Sequence, residues 1–213
     1  MANIAPLSSP FRTREDRLRD REAKREAVLL AAVRLFNDRG FHASSLDDVA
    51  AVLGISKPTI YHYLGNKEQV LIECVSRGCD ALLGAAHASV QEPGGGLDRL
   101  RHFLRHYAEI IMDDFGRCVV RVGDESLSPQ GAALFRARKK EIDQAMRGMI
   151  DAAIADGSMR PTNIRLTAFA LAGALNWPAR WHSASGPQQP AQIAHDMVDI
   201  LIDGLRPDSR SLS

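Results

Sequence analysis

No stretch of this 213-residue chain approaches the roughly 20 consecutive apolar residues that a membrane-spanning helix needs, so no membrane partner is expected. The opening MANIAPLSSP lacks the apolar segment of a secretory signal. Cysteine is scarce: Cys74, Cys79 and Cys118 are odd in number and lack metal-ligand spacing. That excludes a disulfide framework and a cysteine-built zinc site, and reads as reduced thiols in a cytoplasm. Aromatics make up 6% and no run alternates with the period of a strand, while 45% of residues are hydrophobic, a composition that suggests an all-helical globule. No Ser/His/Asp or Cys/His spacing, phosphate-binding glycine loop or paired-acid motif is present, so neither catalytic residues nor a cofactor are expected. Net charge is only +1, which excludes a polybasic nucleic-acid glue. The charge is nevertheless segregated. Through Lys67 there are 11 Lys/Arg against 8 Asp/Glu, leaving 16 against 18 for the rest.

What is present concentrates in residues 41–73. Leu46, Val49, Ala50 and Leu53 form one apolar stripe, with Ser45 ahead of them as N-cap and Asp48 at the capping-box position. Gly54 permits a tight turn and Ile55 plugs the angle after it. Ser56 then caps a second short helix carrying Pro58 in its first turn, where a missing N–H costs nothing. The pattern is a helix-turn-helix. In the second helix Ile60 and Leu64 turn inward. Pro58, Thr59 and His62 project the other way, flanked by Lys57, Tyr61 and Tyr63. A face of flat rings, a hydroxyl and a cation, with no acid, suits thymine methyls, base edges and phosphates in a major groove. Asn66 caps the next helix with Gln69 as reciprocal partner, and Lys67 lies at its positive end, an anion site suited to one DNA phosphate. Ser45, at the start of its own helix, is a further phosphate candidate.

From about Arg21 to Val75 the chain resembles the DNA-binding domain of the TetR family of bacterial transcription regulators. The matching blocks are LLAAVRLFNDRGFHASSLDDVA, LGISKPT and IYHYLGNKEQVL. Leu64 and Gly65 depart from the family's usual Phe and longer polar residue. The resemblance implies double-stranded operator DNA as partner, three helices for the head, one connector helix and five for a ligand-binding body.

The expected helices agree in number: nine, and no strand. Residues 1–20 are expected as a flexible arm of mixed charge, 21–65 as the DNA-binding domain, and 66–213 as the ligand-binding and dimerisation domain. Within the arm, dense alternation of charge fits a solvated helical extension, and Arg12, Arg14 or Arg17 reaching into a minor groove is the alternative. The interspersed acids favour the extension. Val28, Ala31, Ala32, Leu35 and Phe36 then share a face up to Gly40. Later helices are expected at about 66–89, 97–113, 115–122, 130–156, 163–181 and 191–204, with the break at QEPGGG the clearest in the chain.

LTAFALAGALNWPARW is apolar almost all round and must be buried on all faces. Together with the stripe Ile193, Met197, Ile200, Leu201 and Leu205, it predicts a two-fold dimer through the last two helices, with Ala168, Ala172, Leu175, Ile193, Met197 and Leu201 at the interface. LAGALNWPARW also resembles a C-terminal subgroup whose members respond to acyl-CoA thioesters, although His182 replaces a tyrosine and Gln188–Gln189 a Ser-Pro stretch. The resemblance implies a small hydrophobic or acyl-CoA effector. Phe103, Tyr107, Ile110, Ile111, Phe135, Met146, Met149, Phe169, Asn176 and Trp177 are the candidate pocket residues, each with ordinary core packing as its alternative. Arg117, Arg121, Arg136 and Arg138 are candidates for CoA phosphates. His102 and His106 stand at i, i+4 with Glu109 beyond, but no fourth ligand is in sight and arginines are interleaved, so no metal site is expected. The leading expectation is a homodimeric repressor released from a palindromic operator by its effector. An effector-independent architectural DNA-binding protein is the alternative, disfavoured by the near-neutral charge. An enzyme or carrier that keeps a regulator-like head is a third reading, and it lacks a catalytic constellation.

Overall fold

A computed structural model describes residues 13–183 and 185–203. Thr13 and Asp16 form a reciprocal capping box that opens α1 (Arg14–Arg39). Residues 14–20, expected within a flexible arm, are therefore helical. Arg25 pairs with Glu73, and Arg77 reaches Glu26 at 2.5 Å, which lays the solvated extension against the connector helix. The remainder of the expected arm, 1–12, lies outside the described residues, as does Leu205.

Local signals set the helices that follow. The Ser45–Asp48 box opens α2 (Leu46–Leu53), and Gly54 closes it in the left-handed conformation. Ser56 stands at the N-cap of α3 (Lys57–Leu64), but its hydroxyl bonds the Thr59 hydroxyl at 2.7 Å rather than a backbone amide. Asn66 and Gln69 box the start of α4 (Lys67–Val90). Gly65 just before it has φ +72°, and a Cβ there would meet Gln69 Oε1 at 2.3 Å. The departure from the longer polar residue therefore fits this turn: the space a side chain would need is taken by the capping box. α5 (Gly96–Met112) stops where Asp113 accepts from the Gly116 amide at 2.7 Å and starts α6 (Asp114–Arg121). A 3-10 turn (Asp124–Ser126) leads to α7 (Pro129–Ala155), with Ser128 as its cap and Pro129 in the first turn. α8 (Ile164–Asn176) is capped by Asn163, and α10 (Pro190–Asp203) closes the chain. The predicted 163–181 helix is interrupted at Trp177, and the single turn α9 (Pro178–Trp181) follows. Pro178 lacks the amide that would have continued α8.

The fold is all-helical, and no strand occurs among the described residues. α4 passes through the middle, packed on α1, α5, α6 and α7. Leu29, Leu71, Leu82, Leu100, Phe103, Leu104 and Ile150 are among the fully buried side chains of one core that runs from head to body. Each such burial is worth about 1.5–3 kcal/mol, so shared packing holds these helices together more than intrinsic propensity does. α10 lies on α5, where Asp199 accepts from Arg105 at 2.9 Å and Arg101 at 3.3 Å. No helix of the described residues is long and apolar enough to cross a membrane.

Candidate functional site: the helix-turn-helix face and the body cavity

α3 turns Ile60 and Leu64 into the core and leaves Lys57, Pro58, Tyr61 and His62 exposed, with Tyr61 50% accessible. Thr59 and Tyr63 are half-buried, and Tyr63 packs partly against the core. Lys57 is not free: its ammonium bonds Asp47 at 2.6 Å, which raises its pKa. The pair is exposed, hence weak in water, so a phosphate can take the carboxylate's place. Lys67 sits differently. Its Nζ lies 4.2 Å from the Phe41 ring centroid with no carboxylate in ion-pair contact among the described residues, and partial burial lowers its pKa against the opposing pull of Asp48. An ammonium fixed over a ring at a helix N-terminus is ready for an anion. Ser45 does not fit the expected phosphate role. Its amide and hydroxyl both bond Asp48 Oδ2, at 2.8 and 2.6 Å, and this carboxylate with Asp47 makes the start of α2 acidic.

In the body, α5, α6, α7 and α8 surround a cavity of about 530 Å³. Of the predicted residues, Tyr107, Met146, Phe169 and Asn176 line it. Tyr107 donates to Asn176 Oδ1 at 2.9 Å, and burial pushes its hydroxyl pKa up to about 12. The Asn176 amide N–H groups are left without a protein acceptor among the described residues. Val119, Val120, Val122 and Ile142 supply apolar wall, and Lys139, Lys140 and Asp143 complete the lining. Sequence reasoning missed these residues. The apolar run CVVRV was a usable signal for the wall, whereas Lys139 and Lys140 look like any solvated pair.

Other predicted lining residues lie elsewhere. Phe103 and Ile111 are fully buried core, and Ile110 is half-buried against it. Phe135 packs on α4 beneath Lys139, whose Nζ is 4.2 Å from its ring centroid. Met149 lines a separate trough. Trp177 is 65% exposed because the chain breaks there between α8 and α9. The four arginines are engaged. Arg117 donates to Met112 O and His182 O, both at 3.2 Å. Arg121 donates to Ala179 O at 3.1 Å and to Asn37 O at the end of α1. Arg136 pairs with Asp124, and Arg138 with Asp80. His102 bonds Ser89 at 3.0 Å and His106 the His102 carbonyl at 3.0 Å, and no group of three metal-ligating side chains occurs among the described residues.

Residues 28–74 match the family described as bacterial regulatory proteins of the tetR family, and residues 93–205 match the tetracyclin repressor-like C-terminal domain. The chain belongs to the TetR family. It is a DNA-binding transcriptional regulator, not an enzyme. Among its relatives, the transcriptional repressor KstR2 of Mycolicibacterium smegmatis is 25% identical over 86% of this chain and 91% of its own. The transcriptional activator FasR of the same organism is 26% identical over 74% of this chain and 73% of its own. A solved structure of AibR, in complex with isovaleryl coenzyme A and operator DNA, superposes with a TM-score of 0.72 at 27% identity, covering 83% of this chain and 97% of that one.

This TetR-family regulator leaves an apolar face uncovered on α8 and α10. Leu166 and Phe169 of α8 and Trp177 just after it are exposed, and Ile200 of α10 is 76% accessible. Three residues expected at a partner interface do not reach it. Ala168, Leu175 and Ile193 are buried within the protomer. Ala172, Met197 and Leu201 are half-buried at its edge. A helix apolar all round carries no phase from which to choose the outward side.

Proposed function

We propose that the protein is a homodimeric repressor that an apolar acyl effector, carried as its CoA thioester, releases from a palindromic operator in the cytoplasm. Residues 21–65 would form its DNA-binding domain and 66–213 its effector-binding and dimerisation domain. On the DNA side, Lys57, Pro58, Thr59, Tyr61, His62, Tyr63 and Lys67 meet the operator. The observation that carries the effector reading is the chemistry of the cavity. Its walls are apolar, one amide is available for a carbonyl, and Lys139 and Lys140 stand in its lining. An acyl thioester has those three parts in that order: chain, carbonyl, phosphorylated head. Lys140 takes the phosphate role expected of the arginines, whose guanidinium groups are held by carbonyls and carboxylates; Lys139 beside it shares Asp124 with Arg136, at 3.0 Å, in an exposed pair that a phosphate can replace.

The route to the head runs through α6. Val119, Val120 and Val122 line the cavity, and Arg121 between them is bonded to the last turn of α1. At the other end of α6, Asp114 accepts from Arg34 at 2.7 Å and, through its carbonyl, from Asn37 at 2.8 Å. A filled cavity displaces α6, and with it the spacing of two recognition helices across the dimer. Effector and DNA then weaken each other by one common factor.

Titrating the protein–operator complex with acyl-CoAs, the parent acids and small polar metabolites tests this. Release by thioesters is the expected outcome, with at least about tenfold more thioester needed by the Lys139→Ala/Lys140→Ala variant, about 1.4 kcal/mol. Release only by a sugar, an amino acid or a metal ion would remove the reading. On the DNA side, Lys67→Ala is expected to weaken binding alike on all sequences and to make the salt slope shallower by about 0.9. Tyr61→Ala should instead alter discrimination between operators. An unchanged salt slope for Lys67→Ala would take this lysine off the phosphate.

A further inference from the structure

A second trough, separate from the effector cavity, runs between the last turns of α4 and the C-terminal half of α7, with a volume of about 360 Å³. Ala86 and Val90 form one wall and Ala145, Gly148 and Met149 the other. The size falls in the range of small-ligand sites, roughly 300–1,000 Å³. Its floor is open because the residues are small: a Cβ added at Gly148 would meet nothing within 4 Å. Val90 beside it is 49% exposed, so the apolar wall faces solvent.

The polar groups of this trough are two. Arg99, in the first turn of α5, donates its Nε–H to the Glu92 carbonyl at 2.9 Å, and no carboxylate pairs with its guanidinium among the described residues. His87 of α4 also lines the trough, and neither of its ring nitrogens has a hydrogen-bond or ion-pair partner among the described residues. One permanent cation and one imidazole therefore accompany walls of aliphatic and thioether carbon. Nothing like Asn176 is present to receive a carbonyl along the wall, and no lysine pair stands by for phosphates. The ligand that matches is an amphiphile with a single terminal charge, its acid on Arg99 and His87 and its apolar body between Ala145, Gly148 and Met149. We infer that this trough is a second small-molecule site, for medium-chain monocarboxylates, distinct from the thioester cavity. The inference does not depend on the identity of the cavity's ligand.

Two methionines separate the sites. Met149 lines the trough and Met146 the cavity, both buried. With the full-length protein labelled at methionine methyls, octanoate titration is expected to move the Met149 resonance saturably, Met149→Leu supplying its assignment. Arg99→Gln should weaken octanoate at least tenfold, Arg99→Lys should recover part of the loss, and Gly148→Leu should abolish the Met149 response by filling the trough. In all three variants Met146 should keep its native position, which reports an intact body. A Met149 resonance indifferent to millimolar octanoate would overturn the proposal, as would a response of native strength in Arg99→Gln. Movement of Met149 with protein concentration alone would overturn it too, by giving the trough to a second copy of the chain. A Met146 resonance unmoved by acyl-CoA would instead count against the thioester reading and leave the trough standing.

Discussion

Ile200→Asp is expected to leave the folded protomer intact while abolishing both dimerisation and operator binding. Ile200 is 76% exposed on α10, so an aspartate there remains in water in the isolated chain and costs the fold little. In the proposed two-fold interface the same side chain occurs twice, and each carboxylate would be buried without a partner. Such an unpaired charge costs about 3–5 kcal/mol, more than most interfaces can lose. Asp196, one turn earlier on the exposed side, adds repulsion of like sign. Sedimentation velocity at micromolar concentration should show monomer, thermal unfolding should be near native, and anisotropy with a palindromic operator should show no specific complex. A monomer reads one half-site, too few base pairs for selectivity. A variant that stays dimeric and binds the operator would place the interface on another face.

Gly78→Val should cost far more stability than the same change at Gly84 of the same connector helix. α4 and α6 touch backbone to backbone at this position. A Cβ on residue 78 would stand 2.5 Å from Val119 Cγ2 and 2.6 Å from the Phe115 carbonyl oxygen. A carbonyl cannot turn aside as a long side chain can, so the helices must part. Overpacking of this kind costs about 3 kcal/mol, and in a chain of this size lowers Tm by roughly 6–12 °C. Gly84, two turns further along α4, has nothing within 4 Å of its added Cβ, so Gly84→Val is the matched control and should stay within about 1 kcal/mol of the parent. Calorimetry of the two variants decides the matter. Equal melting temperatures would mean that the α4–α6 crossing is not tight. Where Gly78→Val still folds, its operator complex should respond less to effector, because displaced α6 no longer transmits the state of the cavity.

Much of this architecture is local, and local features are legible in a chain. The boxes Ser45–Asp48 and Asn66–Gln69 form as their residue types require, because a side chain three residues away reaches a free amide whatever the rest of the molecule does. The same box also engages Ser45, whose amide and hydroxyl both donate to Asp48, a cost to the phosphate role that residue type alone does not reveal. The face of α3 was readable from its own spacing, since Ile60 and Leu64 can point only one way once they are buried.

Family, helical class, order of helices and which side chains α3 exposes are thus properties the residues carry by themselves, through periodicity, caps and motif spacing. Tertiary structure alone decided which side of α8 faces outward, that Arg117 and Arg121 spend their donors on carbonyls, and that Lys139 and Lys140 line the body cavity. It also moved Met149 from the cavity expected of it to a trough of its own. The physical reason is the reach of the information. Spacing along a helix says which residues share a face, but the neighbour a face meets is set by the packing of segments far apart in sequence, and α8, apolar on every side, offers no phase to guess from.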